Sequence, residues 1–142
     1  MKHERRKIGV DIIQPIVPAY RVALFDGLAR DADLDLSVQA SPSLAVGDKS
    51  VSMEMSDYYT DRPWIRLIGT PFIWQKGMKL LKAKSRGDVL VICGNVTYLS
   101  NYRLILAARR RGAGVVWWGH HQSAFARSWR VRLRLAVTRW LA

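Results

Sequence analysis

The sequence has little of what marks a secreted, disulfide-bonded or membrane-spanning protein. Its one cysteine, Cys93, cannot form an intramolecular disulfide and belongs to no pair of metal ligands. The apolar stretch after the basic amino terminus is broken by Asp11, which makes it too short for a signal-peptide core. No run approaches the roughly 18 apolar residues of a membrane-spanning helix. We therefore expect a cytoplasmic protein in which Cys93 is a buried structural thiol.

Negative charge is also scarce. The chain has 11 Asp and Glu residues against 23 Lys and Arg, which gives a net charge of +12. This excess favours anionic partners, which include nucleic acid, anionic lipid headgroups and the phosphates of nucleotides. With 142 residues and 49% apolar content, residues 1–142 are expected to form a single domain with its own hydrophobic core.

The first forty residues predict a strand, a helix and a second strand. Residues 8–13 are almost all apolar, as in a strand that is buried on both faces of a parallel sheet. Two prolines interrupt residues 14–19, and from Tyr20 to about Asp31 the apolar positions recur at helical spacing. Residues 34–39 then alternate between apolar and polar, which predicts a half-buried strand near the edge of the sheet.

The middle of the chain has weaker patterns. Residues 41–61 contain many small and polar residues and predict a long mobile or functional loop. Residues 64–68 and 72–74 flank Gly-Thr-Pro and predict short extended pieces around a turn. Residues 78–84 alternate apolar residues with lysines, which we interpret as a short amphipathic helix.

A second strand, helix and strand follow between Asp88 and His121. Residues 89–93 are continuously apolar and predict a central strand, after which Thr97 is a candidate N-cap of a helix that ends in three arginines. Residues 115–118 predict the next strand, which leads to His120 and His121, and a last amphipathic helix follows. This order predicts an α/β Rossmann-like three-layer domain with a mostly parallel central sheet.

Three loops follow the carboxyl ends of strands, where open parallel sheets bind their ligands. They span residues 14–21, 94–101 and 119–122. The candidate site residues in them are Tyr20, Arg21, Asn95, Thr97, His120 and His121.

Each candidate has a functional and a structural interpretation. His120 and His121 can act as acid, base or hydrogen-bond donor, or can simply end a strand, and neighbours on a strand point to opposite faces and suit no metal. Tyr20 and Arg21 can hold a phosphate or open a helix. Asn95 and Thr97 can present a loop to a ligand or form a turn and a cap. Trp117 and Trp118 adjoin on a strand, so one can face the core while the other faces a helix layer, and a structural role is favoured over stacking on a sugar.

An ordered set of short segments resembles the N-terminal, acceptor-side domain of family-four-type bacterial glycosyltransferases, which have the two-domain GT-B architecture. The segments are Pro18-Ala19-Tyr20-Arg21 with Leu24-Phe25 downstream, Leu34-Asp35-Leu36-Ser37-Val38, Trp74-Gln75, Leu99-Ser100-Asn101, and Trp118-Gly119-His120 before an arginine-rich helix. The resemblance covers almost the whole chain and is weakest between Ser41 and Asp61.

The resemblance implies transfer of a sugar from a nucleotide-sugar, which is a substrate and not a cofactor, to the hydroxyl of a sugar or lipid-linked acceptor in the synthesis of cell-envelope polysaccharide. His120 matches a histidine near the transferred sugar, although His121 replaces the small residue expected after it. The loop at residues 15–21 matches one that faces the donor phosphates. The donor-binding C-terminal domain has no counterpart here, so this chain alone is expected to be inactive, and no metal is implied.

Two other classes remain open. A nucleic-acid-binding module is not favoured, because the cations are spread over several predicted helices instead of one face. A peripheral membrane protein without catalysis would bind through its basic residues to anionic lipids at the inner face of the cell membrane. The arginines of the last predicted helix, at positions 127, 130 and 134, are the candidate contacts.

Overall fold

The computed structural model describes residues 6–43 and 56–119, together with Ala136, which is helical and exposed. The chain order of its elements is β1 (Ile8–Ile13), α1 (Ala19–Arg30), β2 (Leu34–Ala40), β3 (Tyr59–Asp61), β4 (Trp64–Arg66), β5 (Ile73–Gln75), β6 (Val89–Cys93), α2 (Leu99–Arg110) and β7 (Gly114–Trp118). The predicted helix–strand order of both βαβ units is confirmed. No helix in the described ranges has the length and apolar character needed to cross a membrane.

Five strands form one parallel sheet in the order β3-β2-β1-β6-β7. The central strands β1 and β6 carry the most continuous apolar runs, because both of their faces are covered. Strands β4 and β5 form a separate antiparallel hairpin, as the pattern around Gly-Thr-Pro predicts. The predicted α/β fold with a mostly parallel sheet is therefore confirmed.

The two helices cover opposite faces of the sheet. Ile12 of β1 packs in a cluster with Phe25 of α1, whereas its neighbour Ile13 packs in the cluster of Leu104 and Ile105 from α2. Helix α1 leads from β1 outward to β2, and α2 leads from β6 outward to β7 on the other side. The direction in which successive strands are added to the sheet therefore reverses between β1 and β6. This place is the topological switch point of an open α/β sheet.

The prediction of a helix at residues 78–84 is wrong, because the structure has no helix there. This stretch runs as irregular chain over the face of the sheet, and its apolar side chains Met78, Leu80 and Ala83 are buried. Buried side chains of the sheet provide the hydrogen bonds that a helix would make internally. The Asp11 carboxylate accepts from Lys82 N and Ala83 N at 2.9 and 2.8 Å, and the Gln39 amide donates to Lys79 O at 2.8 Å.

Two further predictions need correction. Helix α2 has Tyr98 at its N-cap position without a side-chain cap, so Thr97 is not the cap. The loop predicted over residues 41–61 ends in a short strand, β3, whose three residues pair with β2. Residues 44–55 of that loop lie outside the described residues.

Candidate functional site

The loops after β1 and β6 meet at the topological switch point, beside the end of β7. Gly94 N donates to Trp118 O at 3.1 Å, which joins the loop after β6 to the last residue of β7. We call this place the switch crevice and define it by Gln14, Arg21, Asn95, Thr97 and Trp118. Parallel α/β sheets bind ligands at such a crevice, because helix N-termini and strand ends converge there.

Arg21 is the charged group of the switch crevice. It lies in the first turn of α1, which Arg21 N closes by donating to Pro18 O at 3.0 Å. Its guanidinium carbon lies 4.5 Å from the centroid of the Trp118 ring, and Nη1 donates to the side-chain oxygen of Gln14. The ion pairs between described residues are Arg6 with Asp88 and Lys82 with Asp35, so no described carboxylate neutralises Arg21. This leaves a positioned cation for an anionic group.

Gln14 is the buried polar residue of the crevice. It is 1% exposed, and its main chain is fully engaged, since Gln14 N donates to Gln39 O at 3.0 Å and Gln14 O accepts from Gln75 Nε2 at 3.0 Å. The side-chain oxygen receives Arg21, while Nε2 has no hydrogen-bond acceptor among the described atoms. A buried amide donor without an acceptor is costly, and a ligand oxygen that reached Nε2 would satisfy it.

Trp118 supports Arg21 from the sheet. Its ring meets Phe25 of α1 edge to face, with centroids 6.1 Å apart and planes at 87°. Trp117 packs on the opposite side, in the cluster of α2. The predicted structural role of both tryptophans is confirmed, with Trp117 packed on the α2 side and Trp118 on the α1 side. Trp118 has a second role, since its π-face holds the guanidinium by a cation–π contact.

Tyr20 lies beside Arg21 on the solvent side. Its side chain is 76% exposed, and the ring centroid is 5.4 Å from the Arg21 guanidinium carbon. An exposed aromatic ring next to a positioned cation can stack on a sugar or a base. Of the predicted site residues, Tyr20 lies against Arg21, and Arg21 contacts both Gln14 and Trp118.

Asn95 and Thr97 form a closed turn. Asn95 Oδ1 accepts from Thr97 N at 3.0 Å and from Thr97 Oγ1 at 2.8 Å. The predicted turn is confirmed, but the Asn95 and Thr97 side chains bond each other rather than Arg21. Their contribution to the crevice is the shape of the loop after β6.

His120 and His121 lie outside the described residues, so their prediction stays untested. The preceding residue, Gly119, is packed against the loop after β6. A Cβ built on Gly119 would lie 3.4 Å from Gly94 N and 3.6 Å from Gly94 Cα. The last described residue of the chain before His120 therefore lies beside the loop after β6.

Two crevice residues were not expected as ligand contacts. Gln14 carries a sequence signal, because it is the first polar residue after a buried parallel strand, at the edge where such sheets bind ligands. Trp118 carries none, because its contact with Arg21 depends on which face of β7 packs on α1. Among the described residues, no three His, Cys, Asp or Glu side chains are grouped as metal ligands.

Cys93 ends β6 next to the crevice and is partly buried. Burial raises the pKa of its thiol above the usual value, while the backbone N–H of Asn95 and the charge of Arg21 act in the opposite direction. We expect slow alkylation of Cys93 by iodoacetamide at neutral pH, and a further few-fold decrease in Arg21→Ala, because the thiolate loses its nearest cation. The matched change Arg110→Ala, at the far end of α2, should leave the alkylation rate unchanged. A rate in Arg21→Ala equal to or faster than that of the wild type would contradict the electrostatic effect of Arg21 on Cys93.

A second concavity of about 570 Å³ lies along the first half of β2, away from the switch crevice. Its lining includes Lys82 and Asp35, which pair with each other at 2.7 Å. Lys7 and Asp57 also line the groove, so it carries two cations and two carboxylates and has a weaker claim on an anionic ligand than Arg21 has.

Comparison with protein-family models, curated proteins and solved structures finds no significant match to this chain. The switch crevice, with its unneutralised arginine and its buried amide donor, is the candidate site in the described part of the chain.

Proposed function

We propose that the chain is the acceptor-side, Rossmann-like domain of a GT-B glycosyltransferase and that the switch crevice is its half of the active-site cleft. In this proposal a sugar passes from a nucleotide-sugar to an acceptor hydroxyl, and a separate donor-binding domain holds most of the nucleotide. The donor phosphates approach Arg21, and His120 follows the described end of β7 in the sequence.

The sheet topology supports the proposal. A parallel sheet in the order β3-β2-β1-β6-β7, with α1 and α2 on opposite faces, places the loops after β1 and β6 side by side at one edge. That arrangement is shared by nucleotide- and sugar-binding α/β domains of several chemistries, so the fold supports a ligand site without choosing the reaction.

The observation that carries the proposal is the setting of Arg21. Its guanidinium is held between the Gln14 oxygen and the face of Trp118, and no described carboxylate neutralises it. A guanidinium fixed in this way keeps N–H donors for a phosphate, with little conformational entropy left to lose on binding. In this proposal ligand binding uncovers the buried Nε2 of Gln14, which then donates to a phosphate or sugar oxygen.

We expect Arg21→Ala to weaken binding of a nucleoside diphosphate sugar about tenfold, the loss of roughly one charge-assisted hydrogen bond. The measurement is a titration of the ¹⁵N-labelled 142-residue chain with UDP-glucose, GDP-mannose and inorganic pyrophosphate, followed by amide chemical shifts. In the wild type, shifts should concentrate at residues 14–21, 94–98 and 118–119.

The matched control is Arg110→Ala, which removes the same charge from the opposite edge of the sheet. Equal weakening by the two variants would indicate non-specific attraction to a basic surface and would contradict the crevice as the site. Shifts with pyrophosphate but with neither nucleotide-sugar would support an anion site and contradict the glycosyltransferase. Sugar transfer by the 142-residue chain alone would contradict the proposed division between two domains.

A further inference from the structure

The β4–β5 hairpin projects from the main sheet and ends in an ordered turn. Leu67 N donates to Phe72 O at 3.0 Å, and Thr70 N donates to Leu67 O at 3.1 Å. The Thr70 hydroxyl donates to Leu67 O at 2.9 Å and accepts from Phe72 N at 3.2 Å. Gly69 has the positive φ of 73° that this turn requires. We call residues 67–72 the hairpin tip.

Apolar side chains are displayed on and beside the hairpin tip. Ile68 is 100% exposed, Phe72 is 37% exposed, and Ile65 on β4 is 39% exposed. Single exposed apolar residues are common on protein surfaces, but three on one short, ordered projection form a local cluster. Ile68 in particular makes no contribution to the core, so its hydrophobic surface is available to a partner.

The base of the hairpin is fixed to the sheet edge. Trp64 Nε1 donates to Ser43 O at 2.7 Å, and Ile73 N donates to Thr97 O at 2.9 Å. Gln75 is buried, and its side-chain amide donates to Gln14 O and to Ser41 Oγ at 3.0 and 2.9 Å. The tip is thus held in one position before any partner arrives, which lowers the entropy lost on binding.

The charge around the hairpin has one sign. Residues 62–87 contain no Asp or Glu and seven cations, of which Lys82 is paired with Asp35: Arg62, Arg66, Lys76, Lys79, Lys82, Lys84 and Arg86. Arg66, next to the tip, and Lys76, at the base of the hairpin beside Pro63, are both exposed. An apolar tip flanked by exposed cations matches a surface with anionic headgroups above a hydrocarbon layer.

We propose that the hairpin tip docks on an anionic lipid bilayer, with Ile68 and Phe72 entering the interface and Arg66 and Lys76 meeting the headgroups. Trp64 and Trp74 at the base would lie at headgroup level, where tryptophan is enriched. This inference goes beyond the proposed function and does not depend on it.

A bilayer suits the tip better than a second copy of the chain. Stable protein interfaces bury about 800 Å² on each partner, which a six-residue turn with two exposed apolar side chains cannot supply. Two such tips would also bring the cations of residues 62–87 together, and like charges oppose that contact. A bilayer accepts a narrow apolar wedge and supplies the opposite charge.

The test is co-flotation of the full 142-residue chain with vesicles of phosphatidylcholine, with or without one part in three of phosphatidylglycerol. We expect binding to the anionic vesicles that weakens as salt rises, and little binding to phosphatidylcholine alone. Ile68→Ser should reduce partitioning to anionic vesicles about tenfold, because the variant no longer buries an isoleucine side chain in the bilayer. Arg66→Ala should reduce it a few-fold.

The matched controls are Leu24→Ser and Arg110→Ala. Leu24 is an exposed apolar residue on α1, 48% exposed, and neither change touches the hairpin. Circular dichroism establishes that each variant is folded. Absence of wild-type binding, equal binding to neutral vesicles, or equal losses in Ile68→Ser and Leu24→Ser would each overturn the proposal. A wild-type dimer that Ile68→Ser dissociates, without vesicle binding, would assign the tip to self-association instead.

Discussion

Asp88→Ala is expected to destabilise the domain by about 3 kcal/mol, because it leaves several buried donors without an acceptor. The Asp88 side chain is 2% exposed and accepts from Gly9 N at 2.9 Å, Lys84 N at 3.0 Å and Ser85 N at 2.9 Å. It also accepts from the Ser85 hydroxyl and pairs with Arg6. One carboxylate thus joins the start of β1 to the chain that enters β6. Urea unfolding followed by circular dichroism measures the loss.

The same carboxylate predicts a dependence on pH. Burial by itself raises the pKa of Asp88, but the hydrogen bonds from Gly9, Ser85 and Lys84 outweigh it, so the pKa lies below its usual value. A lowered pKa means that the stabilisation is present above the unfolded-state pKa of about 3.9 and is lost as the pH falls through the folded-state value. Asp88→Asn should lack this acid-dependent component.

The control for Asp88 is Asp57→Ala, which removes an exposed carboxylate. Surface changes of this kind alter stability by less than about 0.5 kcal/mol. If Asp88→Ala and Asp57→Ala had similar unfolding midpoints, the hydrogen bonds to Asp88 would not be holding the two strands together.

Gly9→Ala is expected to destabilise the domain by about 3 kcal/mol or more, because the sheet leaves no space for a methyl group at this position. A Cβ on Gly9 would lie 2.1 Å from Lys82 O and 2.6 Å from Lys82 C, and both of these atoms belong to the main chain. Relief requires residues 82–83 to move away from β1, which would break their hydrogen bonds to Asp11. Thermal and urea unfolding of the variant measure the effect.

Gly27→Ala is the matched control, with the same added methyl group in a different setting. Gly27 lies inside α1, and a Cβ there meets nothing within 4 Å. Alanine in a helix interior is more stable than glycine by roughly 0.5–1 kcal/mol, so this variant should unfold at a higher temperature and a higher urea concentration than the wild type. A neutral Gly9→Ala would mean that the irregular chain of residues 78–84 does not lie against β1.

The strands of the sheet could be predicted because burial on both faces leaves a direct mark on their sequence. Residues 8–13 and 89–93 are nearly continuous in apolar residues for this reason, and both are central strands. Strand β3 could not be found in the same way, because its three residues, Tyr59–Asp61, are a polar edge piece that pairs with β2 alone.

The error at residues 78–84 has a physical cause that the local pattern does not contain. Alternating apolar residues and lysines over seven residues fit about two turns of an amphipathic helix, and they also fit an extended chain that buries every second or third side chain. The choice was decided by Asp11 and Gln39, two buried polar residues on other strands that take up the backbone groups of this segment. Such long-range hydrogen bonds override local propensity.

The candidate site could be predicted in place but only partly in composition. The rule that parallel sheets bind ligands beyond their carboxyl ends located the loops of Tyr20, Arg21, Asn95 and Thr97 at one edge. It could not show that Arg21 would rest on Trp118, because that contact needs β7 to lie beside β6 with this face toward α1.

The Gln75 side chain connects the hairpin to the switch crevice. Its amide is bonded to Gln14 O, and the other end of Gln14 receives the guanidinium of Arg21. The two buried residues Gln75 and Gln14 therefore link β5, the second strand of the hairpin, to the arginine of the crevice.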